Sequence, residues 1–477
     1  MKFKRALTFT LSLLAIVGFG FFFNSCSSKS MDGMVVFTRI EGENSPVNGL
    51  AGGWNKAAKS HIVAIDPNDV GRPAKLLTKD FYSASSPVIS FDGVSMLFSA
   101  KKVENDSWQI WEMTLTSSKI RQVTSFSGNC IDPAYLPNGR ILFSLSSSKD
   151  TLRSGLPLFT CNPEGADLKQ ITFNHDTYFA SSVLRDGRVL TIDQTNSADQ
   201  KVSRLMVMRP DGTKAELFYQ GNLERILCSK PFESSNGNII FIESNSGSQK
   251  STNITSISYN RPLHSWVNLT TGLKGDFKSV FPLSSGKLLV SYRAGESEKY
   301  RLYEYDPAGK ALGKLVYEND GFVIADIVVV GKQERPKKLP SEVDLGVKTG
   351  LLLCQDINVL DPEWLNKSAD LKKAVSIEVM GMDSSMGIVP VEKDGSFYLK
   401  LIADKPFQIR TLDENGQILN QPCNWMWLRP NERRGCVGCH EDHEQVPENR
   451  VPLAVKNAPV NIPVHIVKII EKKVSLE

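Results

Sequence analysis

The 477-residue chain has little of what most chemistry requires: eight cysteines, six histidines and a net charge of only +4. No nucleophile triad, phosphate-binding glycine loop or paired-carboxylate signature occurs, so nothing supports a hydrolase or a kinase. No block of lysine or arginine stands outside the extreme N-terminus, and a nucleic-acid partner is not expected. Helical periodicity is missing from the repeated part of the chain. Against this background a 41% hydrophobic and 23% charged composition is that of ordinary globular protein, long enough for two or more domains.

What is present begins at the N-terminus. Met1-Lys-Phe-Lys-Arg5 precedes an uncharged, largely apolar run over 6–23 and then Asn24-Ser25-Cys26, the order of an export leader. A small residue directly before a cysteine at the end of such a run resembles the lipobox of bacterial lipoproteins. That resemblance implies a signal peptide over 1–25, acylation of Cys26, a tether over 26–33 and anchoring through lipid chains. A plain membrane-anchoring helix is the alternative. In both cases the rest of the chain is expected outside the cytoplasm, at the periplasmic or surface face of a bacterial outer membrane.

Between 34 and 330 the chain repeats. Asp92-Gly93, Asn138-Gly139, Asp186-Gly187, Asn236-Gly237 and Ser285-Gly286 each separate two β-rich runs, and the glycines are 46, 48, 50 and 49 residues apart. Short strands and turns at that period predict four-stranded propeller blades. Second hairpins end at Gly165, Gly212 and Gly309, and Ile120-Arg-Gln-Val-Thr124 and Leu168-Lys-Gln-Ile-Thr172 recur at the blade ends. With these segments the repeat resembles the TolB-like propeller. The expected fold is all-β: six blades, alternatively seven, followed by a second domain. The Asp-Gly and Asn-Gly pairs read first as turn chemistry.

Cys130 and Cys228 each lie nine residues before their blade's turn glycine, at equivalent positions of innermost strands, which tend to face the central channel. Asp132 and His175-Asp176 fall in the same stretch of neighbouring blades. Thiol, imidazole and carboxylate are the ligands zinc favours, which makes Cys130, Asp132, His175 and Cys228 candidate zinc ligands. The plainer alternative is that the cysteines pack as small apolar residues and His175 caps a loop.

A charged, proline-containing linker spans 331–349. Alternating runs near 351–355, 374–379, 387–391, 395–401 and 407–413, with Asp394-Gly395 and Asn415-Gly416 turns, predict a small β-sandwich over 350–453, then a tail over 454–477. A disulfide between Cys354 and Cys423 is plausible in an oxidising compartment.

The loop after these strands carries Cys436-Val-Gly-Cys439-His440. Two thiols about one helical turn apart can form thioethers with the haem vinyl groups, and the adjacent imidazole can ligate iron. With so few cysteines and histidines the pattern should arise by chance in roughly two of a thousand such sequences. One c-type haem is therefore expected, held by Cys436 and Cys439. His440 is the proximal ligand, with Met426, His443 or nothing opposite; Met426, between Trp425 and Trp427, reads equally as a packing residue. Arg433 and Arg434 could pair with propionates or be solvated, and Glu441 and Asp442 could orient His440 or simply solvate the loop. A zinc site and a disulfide are the rival readings.

The stretch Pro422-Cys-Asn-Trp-Met-Trp-Leu-Arg-Pro-Asn-Glu-Arg-Arg-Gly-Cys-Val-Gly-Cys-His-Glu-Asp442, with Val391-Glu-Lys-Asp-Gly-Ser-Phe397 upstream, resembles the middle domain of the hydrazine synthase alpha subunit family, in which a propeller precedes a haem-bearing domain. The resemblance implies that Cys436 and Cys439 hold haem. It also implies that His440 serves either iron or a zinc ion that takes further ligands from the propeller, while a tyrosine four residues after the motif histidine binds the iron. Glu444 stands at that position here, beside His443, and hydrazine formation itself is not expected. Two functions follow as expectations. One is a membrane-anchored redox protein with a redox partner, acting in electron transfer or in haem chemistry of the hydrazine synthase type. The other is a binding or assembly module whose Cys-His cluster is structural or holds zinc.

Overall fold

The computed structural model describes residues 30–42, 59–69, 71–146, 155–196, 201–221, 225–245, 248–318, 321–359, 372–420, 425–437 and 449–464. The leader, Cys26, Cys423, Cys439, His440 and His443 lie outside the described residues. Among the described residues the structure is all-β apart from one 3-10 turn, Leu453–Lys456.

Six antiparallel sheets follow one another from Val35 to Val329. Five are continuous in sequence; the one running through Thr177–Val183, Val189–Asn196, Lys201–Met208 and Glu216–Gln220 is typical. The first is not continuous. Its outer strands are Val35–Glu41, Ser60–Ile65 and Lys75–Leu76, and its innermost strand, Phe322–Val329, comes from the end of the repeats. Pairing Val35 with Val329 and Glu41 with Phe322 closes the ring, so the first and last repeats share a sheet rather than leaving two exposed edges. Each sheet packs on the next through apolar clusters. Phe179, Leu190, Ile192, Leu205 and Val207 of one sheet, for example, meet Ile239, Phe241 and Ile257 of the following one.

The threonines that end four of the six repeats have a specific task. Thr78, Thr124, Thr172 and Thr270 are all buried. Their hydroxyls accept from the amides of Ile62, Ile110, Leu158 and Ile254 at 2.9, 2.8, 2.8 and 3.2 Å. The fourth strand is short, and the threonine satisfies a third-strand N–H that the strand itself does not reach.

The segment expected to be a plain linker lies along the propeller. The Gln333 amide donates to the Phe91 carbonyl at 2.8 Å and the Lys337 amide to the Arg185 carbonyl at 3.0 Å. The Ser341 hydroxyl and Glu342 amide donate to the Asp211 carboxylate at 2.9 and 2.8 Å. Gly187 shows how close the approach is: its φ is +92°, and a Cβ there would stand 2.0 Å from the Lys337 carbonyl oxygen.

Two four-stranded sheets form the second domain. One is ordered Arg433–Cys436, Thr349–Cys354, Phe397–Ile402 and Val460–Ile462; the other is Ser385–Pro390, Ser376–Met380, Gln408–Leu412 and Ile418–Asn420. Their inner faces share one core, with Leu352, Phe397, Leu399 and Leu401 against Ile377, Val379, Val389, Phe407 and Ile409. This is the expected sandwich.

Candidate functional site

The innermost strand of every sheet is interrupted at the same level. Ladder shifts occur after Ser85, Ile131, Phe179 and Phe277, and in the closing strand opposite Phe37; in the remaining sheet the strand breaks between Arg225–Leu227 and Phe232–Glu233. Ser86, Asp132, Ala180 and Asp326 stand at these bulges with φ of 55°, 53°, 53° and 50°. A bulge places one extra residue on the strand and re-aims its side chain. Here the side chains of the bulge residues line a central cavity of about 100 Å³, together with Cys228, Lys230 and Lys278.

The cavity wall is a network of charge and hydroxyl groups. The Ser86 hydroxyl donates to Asp132 at 2.7 Å and its amide to Asp326 at 3.1 Å. Asp132 also accepts from the Ala180 amide at 3.3 Å, and Asp326 from the Thr38 hydroxyl at 2.8 Å. Burial pushes the Lys230 ammonium down to about 8, with the Asp132 and Asp326 carboxylates pulling the other way. Burial likewise lowers Lys278 and raises Asp132, the latter opposed first by the Ser86 hydroxyl.

The four candidate zinc ligands do not form one set. Asp132 and Cys228 reach the cavity. Cys130 instead packs between two sheets with Leu97, Ile110, Ile141 and Phe143, and His175 lies outside the cavity lining. Among the described residues no group of three His, Cys, Asp or Glu side chains could hold a metal. Inward-facing residues near a strand start alternate between channel and sheet interface, and the bulge two residues on decides which way Cys130 turns. Burial pushes its thiol up to about 12 and that of Cys228 to about 11. Asp176, next to His175, is taken up by a buried ion cluster: Arg204 lies 2.7 Å from Asp193 and 3.6 Å from Asp176.

Sequence reasoning did not single out Lys230, Lys278 or Asp326. A signal for them exists: from Asp132 the repeat interval of 48 residues leads to Ala180, and continued around the ring it reaches the neighbourhood of Cys228 and Lys230, then Lys278 and Asp326.

The second element of the site is the strand that leads into the Cys-x-x-Cys-His motif. Arg433–Cys436 is an edge strand running parallel to Thr349–Cys354. It is held by Glu432, whose side chain is 0% exposed. That carboxylate accepts from the Lys214 amide of the propeller and the Arg429 amide, both at 2.8 Å, and pairs with Arg434 at 2.7 Å. Arg434 is thereby engaged with Glu432; Arg433 is exposed. Trp427 completes the docking. It is 1% exposed and packs with Tyr178, Met206 and Ala215 of the propeller, its ring edge-on to Tyr178 with centroids 6.4 Å apart.

Cys436 ends the strand half-buried, packed against the sandwich core. Met426 packs on the same core, its backbone bridged to Phe407 by two hydrogen bonds of 2.8 and 2.9 Å. Cys436 thus stands at the rim of an apolar core, at the end of an edge strand.

The class defined by this fold and site is a propeller protein whose C-terminal β-sandwich is docked against the propeller through Glu432 and Trp427. The chain is a relative of the hydrazine synthase alpha subunit, and residues 355–441 match the family described as hydrazine synthase alpha subunit middle domain. Hydrazine synthase subunit alpha of Kuenenia stuttgartiensis is 22% identical over 509 residues, covering 80% of this chain. The chain spans 62% of the length of that relative. The solved structure of Kuenenia stuttgartiensis hydrazine synthase superposes with a TM-score of 0.76 at 19% identity, over 90% of this chain and 72% of that one. TolB from Acinetobacter baumannii is similar over 63% of this chain and 67% of its own, with a TM-score of 0.42 at 12% identity.

Proposed function

We propose that this hydrazine synthase alpha relative is an exported, lipid-anchored redox protein carrying one c-type haem. The observation that carries the reading is the position of Cys436-Val-Gly-Cys439-His440, which begins at the outer end of an edge strand in the domain that matches the family. Cys436 and Cys439 would tether the macrocycle and His440 would hold its iron, with Met426 and His443 as further candidate ligands. When bound, haem supplies a one-electron couple tuned by its axial ligands. The Glu432 carboxylate keeps the motif strand seated, and the charged cavity lies at the centre of the propeller on which that strand docks. Cys26 is the acylated residue, and a redox protein is the partner. Glu444 replaces the tyrosine expected four residues after the motif histidine, so hydrazine formation is not part of the proposal.

Expression with the haem-attachment machinery, followed by haem staining of the denatured chain, tests the proposal. Covalent haem survives denaturation, and the stain should vanish in the Cys436→Ser, Cys439→Ser double variant. An unstained wild-type chain would refute it and favour the binding module with a structural or zinc-holding cluster.

A further inference from the structure

The sequence suggests pairing Cys354 with Cys423, which lies outside the described residues; the parallel ladder sets Cys354 beside the Cys436 thiol. The register runs Leu351 with Arg433, Leu352 with Arg434, Leu353 with Gly435 and Cys354 with Cys436. Residues directly opposite in a ladder point to the same face, and both cysteines belong to the sandwich core, Cys354 within it at 1% exposure and Cys436 at its margin. Neighbouring strands lie about 4.8 Å apart, inside the range of about 4.4–6.8 Å between the Cα atoms of disulfide-linked cysteines. The same spacing exceeds the usual Cβ separation of about 3.8 Å. Closing the bond therefore draws the two strands together at Cys436, the end of the edge strand away from the Glu432 clamp.

We propose that Cys354 and Cys436 form a reversible disulfide in the haem-free chain, which withholds Cys436 from haem attachment until it is reduced. The regulatory role rests on the haem reading above; the bond itself rests only on the chain's export. Its formation follows from exposure. The half-buried Cys436 thiolate attacks a disulfide of an extracytoplasmic thiol oxidant, forming a mixed disulfide and releasing one oxidant thiolate. The buried Cys354, as its thiolate, then attacks the Cys436 sulfur and expels the second oxidant thiolate. Two thiols lose two electrons and two protons, and the oxidant becomes a dithiol. Locked in this way, Cys436 has no S–H to add across a haem vinyl group. A dithiol reductant reverses the exchange, which the strain of closing the bond favours. A third thiol on the strand beside the motif thus competes directly with thioether formation.

The test is a disulfide map of the full chain, exported without haem-attachment machinery, alkylated at once and digested without reduction. The expected product is a cross-linked peptide pair joining Cys354 to Cys436, lost on reduction. Alkylated Cys354 together with a Cys436–Cys439 bond, or a Cys354–Cys423 bond, would overturn the proposal. In a second arm, the wild type and Cys354→Ser are co-expressed with the attachment machinery while dithiol reductant is limiting. Haem per chain should rise at least about twofold in the variant as the competing partner is removed. Equal haem in both would overturn the regulatory role. Absence of haem from both would refute the haem reading while the peptide map still decides the bond. Should Cys354→Ser fail to fold, the wild-type map and haem yield across a graded series of reductant concentrations replace it, with yield that does not rise with reductant counting against the proposal.

Discussion

Replacing Glu432 with alanine should unseat the motif strand. Its carboxylate, fully buried, satisfies the Lys214 and Arg429 amides and neutralises Arg434, which is 11% exposed. Truncation leaves the buried Arg429 N–H without an acceptor, at about 1–3 kcal/mol, the part-buried Lys214 N–H short of one at less, and a guanidinium without its counter-ion. Removing one partner of a buried pair usually costs about 3–5 kcal/mol, and the same range is expected for Glu432→Ala. Glu432→Gln keeps an oxygen for Lys214 and Arg434 but turns an amide N–H₂ toward the Arg429 N–H, so a loss of about 1–3 kcal/mol is expected. Native-state hydrogen exchange reads the effect locally. The amides of Lys214, Arg429 and Leu351, the last bonded to the Glu432 carbonyl at 2.8 Å, should lose protection together while those of distant sheets keep theirs. The double variant Glu432→Ala, Arg434→Ala should be less destabilised than the sum of the singles, because it no longer strands a buried cation. A change below about 0.5 kcal/mol for Glu432→Ala, or strictly additive singles, would refute the assignment of Glu432 as the clamp between propeller and motif.

Two further outcomes follow from the same geometry. Trp427→Ala should cost about 3–5 kcal/mol by emptying its place against Tyr178 and Met206. Trp427→Phe should cost less than about 1.5 kcal/mol, since the indole N–H has no hydrogen-bond partner among the described residues; equal losses in denaturant titrations would contradict the packing account. Burial, joined by the neighbouring Asp193 carboxylate, pushes Asp176 up from 3.8 to about 7. In the window from about 4 to 7 the folded chain therefore binds more protons at this group than the unfolded chain, and its contribution to stability is lost as pH rises. Asp176→Asn should remove that loss, so its melting temperature relative to wild type should climb between pH 5 and pH 8; parallel pH curves would show that Asp176 does not carry the effect.

The repeat was legible because it is written locally. Turn glycines about 48 residues apart, a terminal threonine and alternating strands each act within one sheet, and the threonine hydroxyls do what a repeated buried polar residue must. The sandwich strands were legible for the same reason. The zinc set was not, because Cys130 and Cys228 are equivalent only in sequence. A bulge and a broken strand turn one into a sheet interface and leave the other at the cavity. Arg434 read as a solvated or propionate-binding cation because its partner two residues away was taken for part of a motif, whereas burial makes that partner a clamp.

Taken alone, the sequence determined the period of the repeats, the all-β class, the family resemblance and the two motif thiols, since each depends on spacing along the chain, and it left six or seven blades open. Tertiary structure decided everything that depends on register between distant strands. It set a cavity lined by Asp132, Lys230, Lys278 and Asp326, a carboxylate that joins Lys214 to Arg434, and a ladder that places Cys354 beside Cys436. Side-chain direction alternates with every residue of a strand, so a single bulge or a one-residue slip reassigns which groups meet. That choice is made by the packing of whole sheets.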